Sequence, residues 1–240
     1  MSSPSKRRPE WLIPVLIAVI AIVLVTISIV VASRDSEPAA DATDSPVAEV
    51  QAPEAPQTLE MARLEADDPL AAGPLEAPVT LVVYSDYQCP FCATWAADTG
   101  PVMHEYAAAG DLRIEYRDIT VFGPESERAA LAAYAAGLQD HYLEYHDALF
   151  EGGTERPANE LTEEALIATA GELGLDTEQF AADYNSSEVA DAVERNVQEA
   201  VDIGAFSTPA FLLGGRPIVG AQPTDVFVDA FEQALAESDA

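Results

Sequence analysis

The only two cysteines of this 240-residue chain, Cys89 and Cys92, stand three positions apart and follow closely on an apolar run. Residues 79–84 (VTLVVY) are apolar and β-branched without a break, which predicts a strand buried on both faces. Pro90 fits the first position of a helix, where its missing N–H does no harm. The sequence therefore predicts a strand–turn–helix unit, with Cys89 at or next to the helix N-cap and Cys92 one turn further on, facing inward.

A cysteine pair at this spacing has three interpretations. A zinc site needs two further ligands, and His141 and His146 lie much further along the chain than the roughly 12–15 residues of a compact zinc module. A structural disulfide across two residues closes too short a loop to constrain the unfolded chain. A redox pair is favoured, because a helix N-terminus stabilises the Cys89 thiolate and lowers the pKa of that thiol below about 8.5. Cys89 is then the nucleophile and Cys92 the resolving thiol, and no metal is expected.

The remaining patterns predict an α/β fold. A period of two indicates a strand at 112–119, and Gly214-Gly215 indicates the turn of a hairpin at 209–219. Helical periods and caps predict the other elements, which are a helix from Pro90 past a kink at Gly100-Pro101 to Tyr106, a helix along 131–149, a helix opened by Asp176, a helix along 189–201 that ends at Gly204, and a last helix capped by Thr224.

Four short motifs resemble the DsbA-like thioredoxin-fold thiol–disulfide oxidoreductases, in particular their membrane-tethered Gram-positive branch. They are APVT at 77–80, SDYQCPFC at 85–92, GAFSTPAF at 204–211 and GAQP at 220–223. The resemblance implies a thioredoxin fold in a domain that spans 76–240, with a helical insertion subdomain at about 120–204. The order β-α-β, several helices, β-β-α agrees with this fold. A plain crossover unit needs only ~30 residues, and the connection between Ile119 and Thr208 is far longer, so the inserted helices are expected to form a subdomain.

The resemblance also implies roles for single residues. By this resemblance, the Thr208-Pro209 bond is cis and faces the cysteines. Phe91 occupies the position where the strongest oxidants of the family often carry histidine. A buried acid that often lies six residues before the nucleophile is replaced here by Val83, and the nearest acid, Asp86, either caps the loop or handles protons. The implied site comprises the catalytic Cys89 and Cys92, the potential-tuning dipeptide Pro90 and Phe91, and the substrate-binding Thr208 and Pro209.

The N-terminus is basic and is followed by a charge-free apolar run. About 20 helical residues cross a bilayer, so 11–32 is predicted to be a transmembrane signal anchor, with a cleaved signal peptide as the alternative. The positive-inside rule leaves 1–10 as a cytoplasmic tail and places the rest of the chain outside. Residues 33–75, rich in Pro, Ala, Asp and Glu, are expected to form a tether whose last part, from 67, lies against the domain. The protein is thus expected to be a single-pass protein of the cell membrane. Because the tether has no core-forming pattern, a monomer is expected.

The charge of the chain is strongly one-sided. Asp and Glu number 42 against 11 Lys and Arg, which gives a formal net charge of −31. Nucleic acids and anionic lipid surfaces attract positive charge, so neither is expected as a partner, the chain's own anchor apart.

These features predict an extracytoplasmic protein disulfide oxidoreductase that introduces disulfide bonds into exported proteins through a Cys-Pro-Phe-Cys active site. Its partners would be unfolded or reduced exported proteins and, by the resemblance, a quinone-linked membrane protein that reoxidises it, without a dissociable cofactor. The alternatives are a disulfide reductase or isomerase of the same fold, or a non-catalytic thioredoxin-fold binding module that keeps its cysteines as relics.

Overall fold

A five-stranded mixed sheet forms the centre of the computed structural model, which describes residues 60–238. Its order is β1-β3-β2-β4-β5, with β2 parallel to β3 and the other neighbours antiparallel. The predicted buried strand is confirmed as β2 at the middle of the sheet, where six of its seven residues are buried. The strands are β1 (Ala71–Ala72), β2 (Val79–Ser85), β3 (Leu112–Asp118), β4 (Ala210–Leu213) and β5 (Arg216–Val219).

Eight α-helices surround the sheet within residues 60–238, and five of them fill the connection between β3 and β4. The predicted order β-α-β, several helices, β-β-α is confirmed from β2 onward, whereas the short strand β1 before it was not predicted. Two short 3-10 turns, Glu151–Gly153 and Ala158–Glu160, follow α4. The helices are α1 (Pro90–Asp98), α2 (Gly100–Ala109), α3 (Pro124–Gly137), α4 (Tyr142–Leu149), α5 (Glu163–Glu172), α6 (Thr177–Tyr184), α7 (Ser187–Ile203) and α8 (Thr224–Ser238).

The predicted anchor at 11–32, the tail before it and most of the tether lie outside the described residues. Within 60–238, none of the helices has both the length and the apolar character needed to cross a membrane.

The last part of the predicted tether packs against the domain, and it does so earlier than residue 67. Leu70 is buried in the core, and β1 pairs with the edge of β3. The backbone N–H groups of Arg63 and Leu64 donate to the two carboxylate oxygens of Glu115, each at 2.9 Å. The segment is therefore attached to the sheet by main-chain hydrogen bonds as well as by apolar contact.

The prediction of a single helix along 131–149 is wrong, because the structure has two helices there, α3 and α4. Asp140 between them has a left-handed φ of 62°. Gly137, at the end of α3, lies so close to another segment that an added Cβ would be 2.6 Å from the carbonyl oxygen of Pro69. The apolar period continues across the break because both helices bury side chains in one core, including Tyr142, Tyr145 and Leu149 of α4.

Strand β3 has the predicted alternation, yet all seven of its residues are buried, including four that carry charge. Arg117 donates to Glu115 (2.6 Å) and to Glu199 of α7 (3.2 Å), and Arg113 donates to Glu115 (2.9 Å). Burial by itself would raise the pKa of Glu115, but hydrogen bonds from Arg113 and from the backbone of Arg63, with the charge of Arg117, lower it overall. One face of β3 is therefore held by ion pairs to α7 and to the segment before β1. Its end lies beside the end of β2 through the parallel pairing of the two strands.

Candidate active site

The two cysteines lie where β2 passes into α1, as predicted. Cys89 is the N-cap of α1, with extended backbone angles (φ −95°, ψ 115°), and Pro90 follows at the start of the helix. The N–H of Cys92 donates to the carbonyl oxygen of Cys89 (3.0 Å), which closes the first turn and brings the two side chains together. Both cysteines are free thiols and both are buried, Cys89 with 2% and Cys92 with 1% of its surface exposed.

The surroundings of Cys89 favour its thiolate. The hydrogen bond from the Cys92 thiol is the largest influence, and together with the Thr208 hydroxyl and the backbone N–H groups of Phe91 and Cys92 it lowers the pKa of Cys89 to about 6, although burial opposes it. A hydrogen bond donated to a charged group is stronger than one between neutral groups, and more so away from bulk water. These contacts therefore favour the thiolate form of Cys89 at neutral pH.

Cys92 is affected in the opposite direction. Burial raises the pKa of the Cys92 thiol well above its ordinary value, and the hydrogen bond to Cys89 and the charge on that sulfur raise it further, while Ser85 opposes the shift. The site thus favours ionisation of the Cys89 sulfur and retention of the proton on Cys92. This division is the chemistry of a nucleophile with a resolving thiol.

Thr208 and Pro209 lie opposite the cysteines, and the bond between them is cis, as the resemblance implied. The Cys89 thiol donates to the carbonyl oxygen of Thr208 at 3.3 Å. The hydroxyl of Thr208 is buried and has no hydrogen-bond partner among the described residues. It is therefore free to donate to Cys89 once that sulfur is a thiolate.

Asp86 holds the loop that precedes Cys89. Its carboxylate accepts hydrogen bonds from the Ser126 hydroxyl (2.6 Å) and from the backbone N–H groups of Gln88 (2.8 Å) and Phe122 (3.1 Å). Its carbonyl oxygen accepts from the N–H of Cys89 at 3.0 Å. Burial raises the pKa of Asp86, while those hydrogen bonds oppose the shift. Of the two roles that the sequence left open for Asp86, the structure supports the cap of the loop.

Exposed apolar side chains surround the buried sulfurs. Phe91 is 64% exposed beside the cysteines, and Phe206 is 70% exposed on the loop that carries Thr208. Val121 and Phe122, half exposed, follow β3, and Val121 lines a cleft of about 180 Å³ together with Phe206. These loops present a largely apolar surface next to the site.

Sequence reasoning missed a second buried polar cluster behind the same loop. Asp118, at the end of β3, accepts hydrogen bonds from the hydroxyls of Tyr87 and Tyr142, and the ring of His146 lies among these aromatic residues. The available signal was an acid at the end of the strand that pairs with β2. Val83, where an acid is often found, is instead part of the apolar core.

The described residues contain no group of three or more His, Cys, Asp and Glu side chains arranged to hold a metal ion. His146, a possible zinc ligand by sequence, is buried with its ring against Tyr116, Tyr142 and Phe150.

Three of the comparisons with known proteins concern thioredoxin-like and disulfide-forming proteins. A family model described as "Thioredoxin" matches residues 65–233. The crystal structure of a thioredoxin-like oxidoreductase from Silicibacter pomeroyi is 30% identical with a TM-score of 0.59, over 70% of this chain and 96% of that one. A probable disulfide bond formation protein D from Bacillus anthracis is 26% identical over 146 residues, which are 59% of this chain and 67% of that protein.

The Na(+)/H(+) antiporter NhaA of Herminiimonas arsenicoxydans also matches, with 37% identity over 149 residues, or 62% of this chain. The match covers 23% of that protein, so the chain spans about a quarter of the length of the antiporters that it resembles.

Replacement of Cys92 tests how the Cys89 thiolate is stabilised. The thiolate absorbance of the reduced full-length chain, followed against pH, is expected to show a midpoint for the Cys89 pKa of about 6. Cys92→Ala removes the thiol donor and raises this midpoint, whereas Cys92→Ser keeps an O–H donor and stays closer to wild type. A wild-type midpoint near the free-thiol value of about 8.5, or no shift in Cys92→Ala, contradicts the assignment.

Proposed function

The chain belongs to the thioredoxin family, and we propose that it is an extracytoplasmic thiol–disulfide oxidoreductase that introduces disulfide bonds into exported proteins. The resemblance to DsbA-like thiol–disulfide oxidoreductases is supported by the matching family model, by the fold shared with a thioredoxin-like oxidoreductase and by the similarity to a disulfide bond formation protein. The finer parts of the proposal, which are the oxidising direction, the substrates and the location, rest on the site itself and on the sequence.

One arrangement carries the proposal: Cys89 is the N-cap of α1, Cys92 follows one turn further on, and the site acts on their two thiols in opposite directions. The Cys89 thiolate is stabilised by the Cys92 thiol, and Cys92 keeps its proton. Stabilising a thiolate stabilises the reduced form of the pair, and a pair whose reduced form is stable is an oxidant. The arrangement therefore favours transfer of a disulfide from the enzyme to its substrate.

The proposed reaction starts from the Cys89–Cys92 disulfide. A substrate thiolate attacks the sulfur of Cys89, a substrate–Cys89 disulfide forms, and Cys92 leaves with the electron pair and takes up a proton. A second substrate thiolate then attacks the substrate sulfur of this mixed disulfide and expels Cys89 as a thiolate. Two substrate thiols lose two electrons and two protons, the enzyme pair gains both electrons and one proton, and the other proton passes to solvent.

The low pKa of Cys89 assists the second step. A thiolate of low pKa is a good leaving group, so release of the oxidised substrate from Cys89 is fast. The high pKa of Cys92 disfavours its thiolate and slows attack by Cys92 on the mixed disulfide, which would return the substrate unchanged.

The proposed substrates are unfolded or reduced proteins, as the surface beside the site suggests. Phe91 and Phe206 expose apolar rings next to a buried nucleophile, and exposed apolar surface of this kind marks a binding site. An unfolded chain offers apolar side chains and accessible thiols together. The strong negative charge of the chain disfavours nucleic acid as a partner.

Each turnover leaves the enzyme reduced, so a second partner must remove two electrons. By family resemblance we propose a quinone-linked membrane protein for this role, with no dissociable cofactor on the chain itself. The protein is proposed to act as a monomer, because the segment between the apolar run and the domain has no core-forming pattern.

The reduction potential separates this proposal from its alternatives. Equilibration of the full-length chain with glutathione, read by mass spectrometry, is expected to give a value in the upper half of the range from about −270 to −120 mV. Thr208→Val keeps the shape of the side chain but removes its hydroxyl, so this variant is expected to have a lower potential than wild type.

A potential at or below about −270 mV, the value of thioredoxin, would favour a reductase. A stable dimer that reshuffles scrambled disulfides would favour an isomerase. A Cys89–Cys92 pair that does not exchange with glutathione would favour a non-catalytic binding module.

We further propose that the chain is anchored in the cell membrane by residues 11–32, with its catalytic domain outside. Support comes from the length of this charge-free run and from the basic residues before it. Protease added to intact spheroplasts is expected to digest the domain and to leave a short membrane-embedded fragment. Protection of the whole domain until the cells are lysed would show that this orientation is inverted.

A further inference from the structure

The loop before Cys89 rests on a buried carboxylate that the exchange reaction does not use. Asp118 is fully buried at the end of β3, in register with Ser85 at the end of β2. Its carboxylate accepts a hydrogen bond from the hydroxyl of Tyr87 (3.0 Å) and two from that of Tyr142 (3.0 and 3.2 Å). One acid thus connects the sheet, the active-site loop and α4.

Tyr87 is the link between this acid and the cysteines. It is buried two residues before Cys89, and its ring stacks on Phe150 with the centroids 5.1 Å apart. The next residue, Gln88, donates from its side chain to the carbonyl oxygen of Arg156 at 2.9 Å. Because Tyr87 is held at both its ring and its hydroxyl, it restrains, together with Asp86, the backbone that enters the N-cap of α1.

The carboxylate has no cationic arginine or lysine partner among residues 60–238, and phenol hydroxyls satisfy it instead. Burial raises the pKa of Asp118 to about 6, although the charge of His146 and the hydrogen bonds from the two tyrosines oppose the shift. The titratable groups that face it are Asp86 and Tyr87 from the loop, Tyr142 and His146 from α4, and Tyr116 from its own strand.

We propose that Asp118 is a positioning residue for thiol–disulfide exchange, because its carboxylate holds Tyr87 and thereby keeps Cys89 at the N-terminus of α1. When Asp118 takes up a proton its O–H must donate, so one of the two tyrosine hydroxyls has to turn and accept. The inference rests on the proposed function, and it adds a pH-dependent control of the nucleophile by a residue outside the cysteine pair.

The two ways in which Asp118 could influence Cys89 have opposite signs. A negative charge near a thiolate disfavours it, so removal of the charge alone would lower the pKa of Cys89. Loss of the anchored loop moves the backbone N–H groups away from the sulfur, and this raises the pKa of Cys89. The direction of the shift therefore distinguishes positioning from a simple charge effect.

The test is the thiolate titration of the reduced full-length chain in Asp118→Asn and Tyr87→Phe. Asp118→Asn imitates the protonated acid, and Tyr87→Phe removes the link while the charge stays. Tyr87→Phe is expected to raise the Cys89 midpoint by about 0.5–1 pH unit, the size of one lost hydrogen bond. Asp118→Asn is expected to raise it by less, because the lost charge acts in the opposite direction, and the double variant to raise it no further than Tyr87→Phe. Tyr142→Phe, which removes the other hydroxyl and leaves Tyr87 in place, is the matched control with a wild-type midpoint.

A lower midpoint in Asp118→Asn, an unchanged midpoint in Tyr87→Phe or an equal shift in Tyr142→Phe overturns the proposal. Should Asp118→Asn fail to fold, Tyr87→Phe decides alone, since it deletes a single hydroxyl. The titration needs no substrate or redox partner, so its failure is distinguishable from failure of the proposed exchange activity, which the reduction potential tests.

Discussion

The passage of a buried central strand into the N-terminus of a helix is the constraint on which the site depends. Strand β2 is covered on both faces, so its direction and its end are fixed by the core. The chain then turns through a loop held by the carboxylate of Asp86 and reaches α1 with Cys89 as N-cap. The backbone N–H groups and the dipole at the N-terminus of the helix stabilise a negative charge there, and here the charge is that of a thiolate.

The site lowers the pKa of one thiol and raises that of the other without an acid on β2. Val83 stands where thioredoxin-like enzymes often bury one, and two other carboxylates lie nearby in its absence. Asp86 accepts hydrogen bonds from the loop, and Asp118 accepts them from two tyrosines. Both acids are fully buried, and burial raises the pKa of each. The charge of either carboxylate therefore depends on its hydrogen bonds, which couple the site to the inserted helices.

Local patterns in the sequence were sufficient for the strand–turn–helix unit and for the order of the elements from β2 onward, but not for β1 or for the break between α3 and α4. The roles of Thr208 and Pro209 came from resemblance alone, because their position opposite the cysteines depends on a contact across 119 residues. The burial of β3 could not be predicted, since alternating charged residues are typical of a strand with one solvated face. The partners of Asp118 lie 24 and 31 residues away, beyond any local period.

A single turnover between the oxidised full-length chain and a reduced, unfolded protein with two cysteines tests the central claim most directly. The mixture is quenched in acid at successive times, and the disulfides are located by mass spectrometry. The account predicts one disulfide gained by the substrate for each chain reduced, through a transient mixed disulfide on Cys89. A mixed disulfide on Cys92, or substrate thiols that stay reduced while the Cys89–Cys92 disulfide persists, would contradict it.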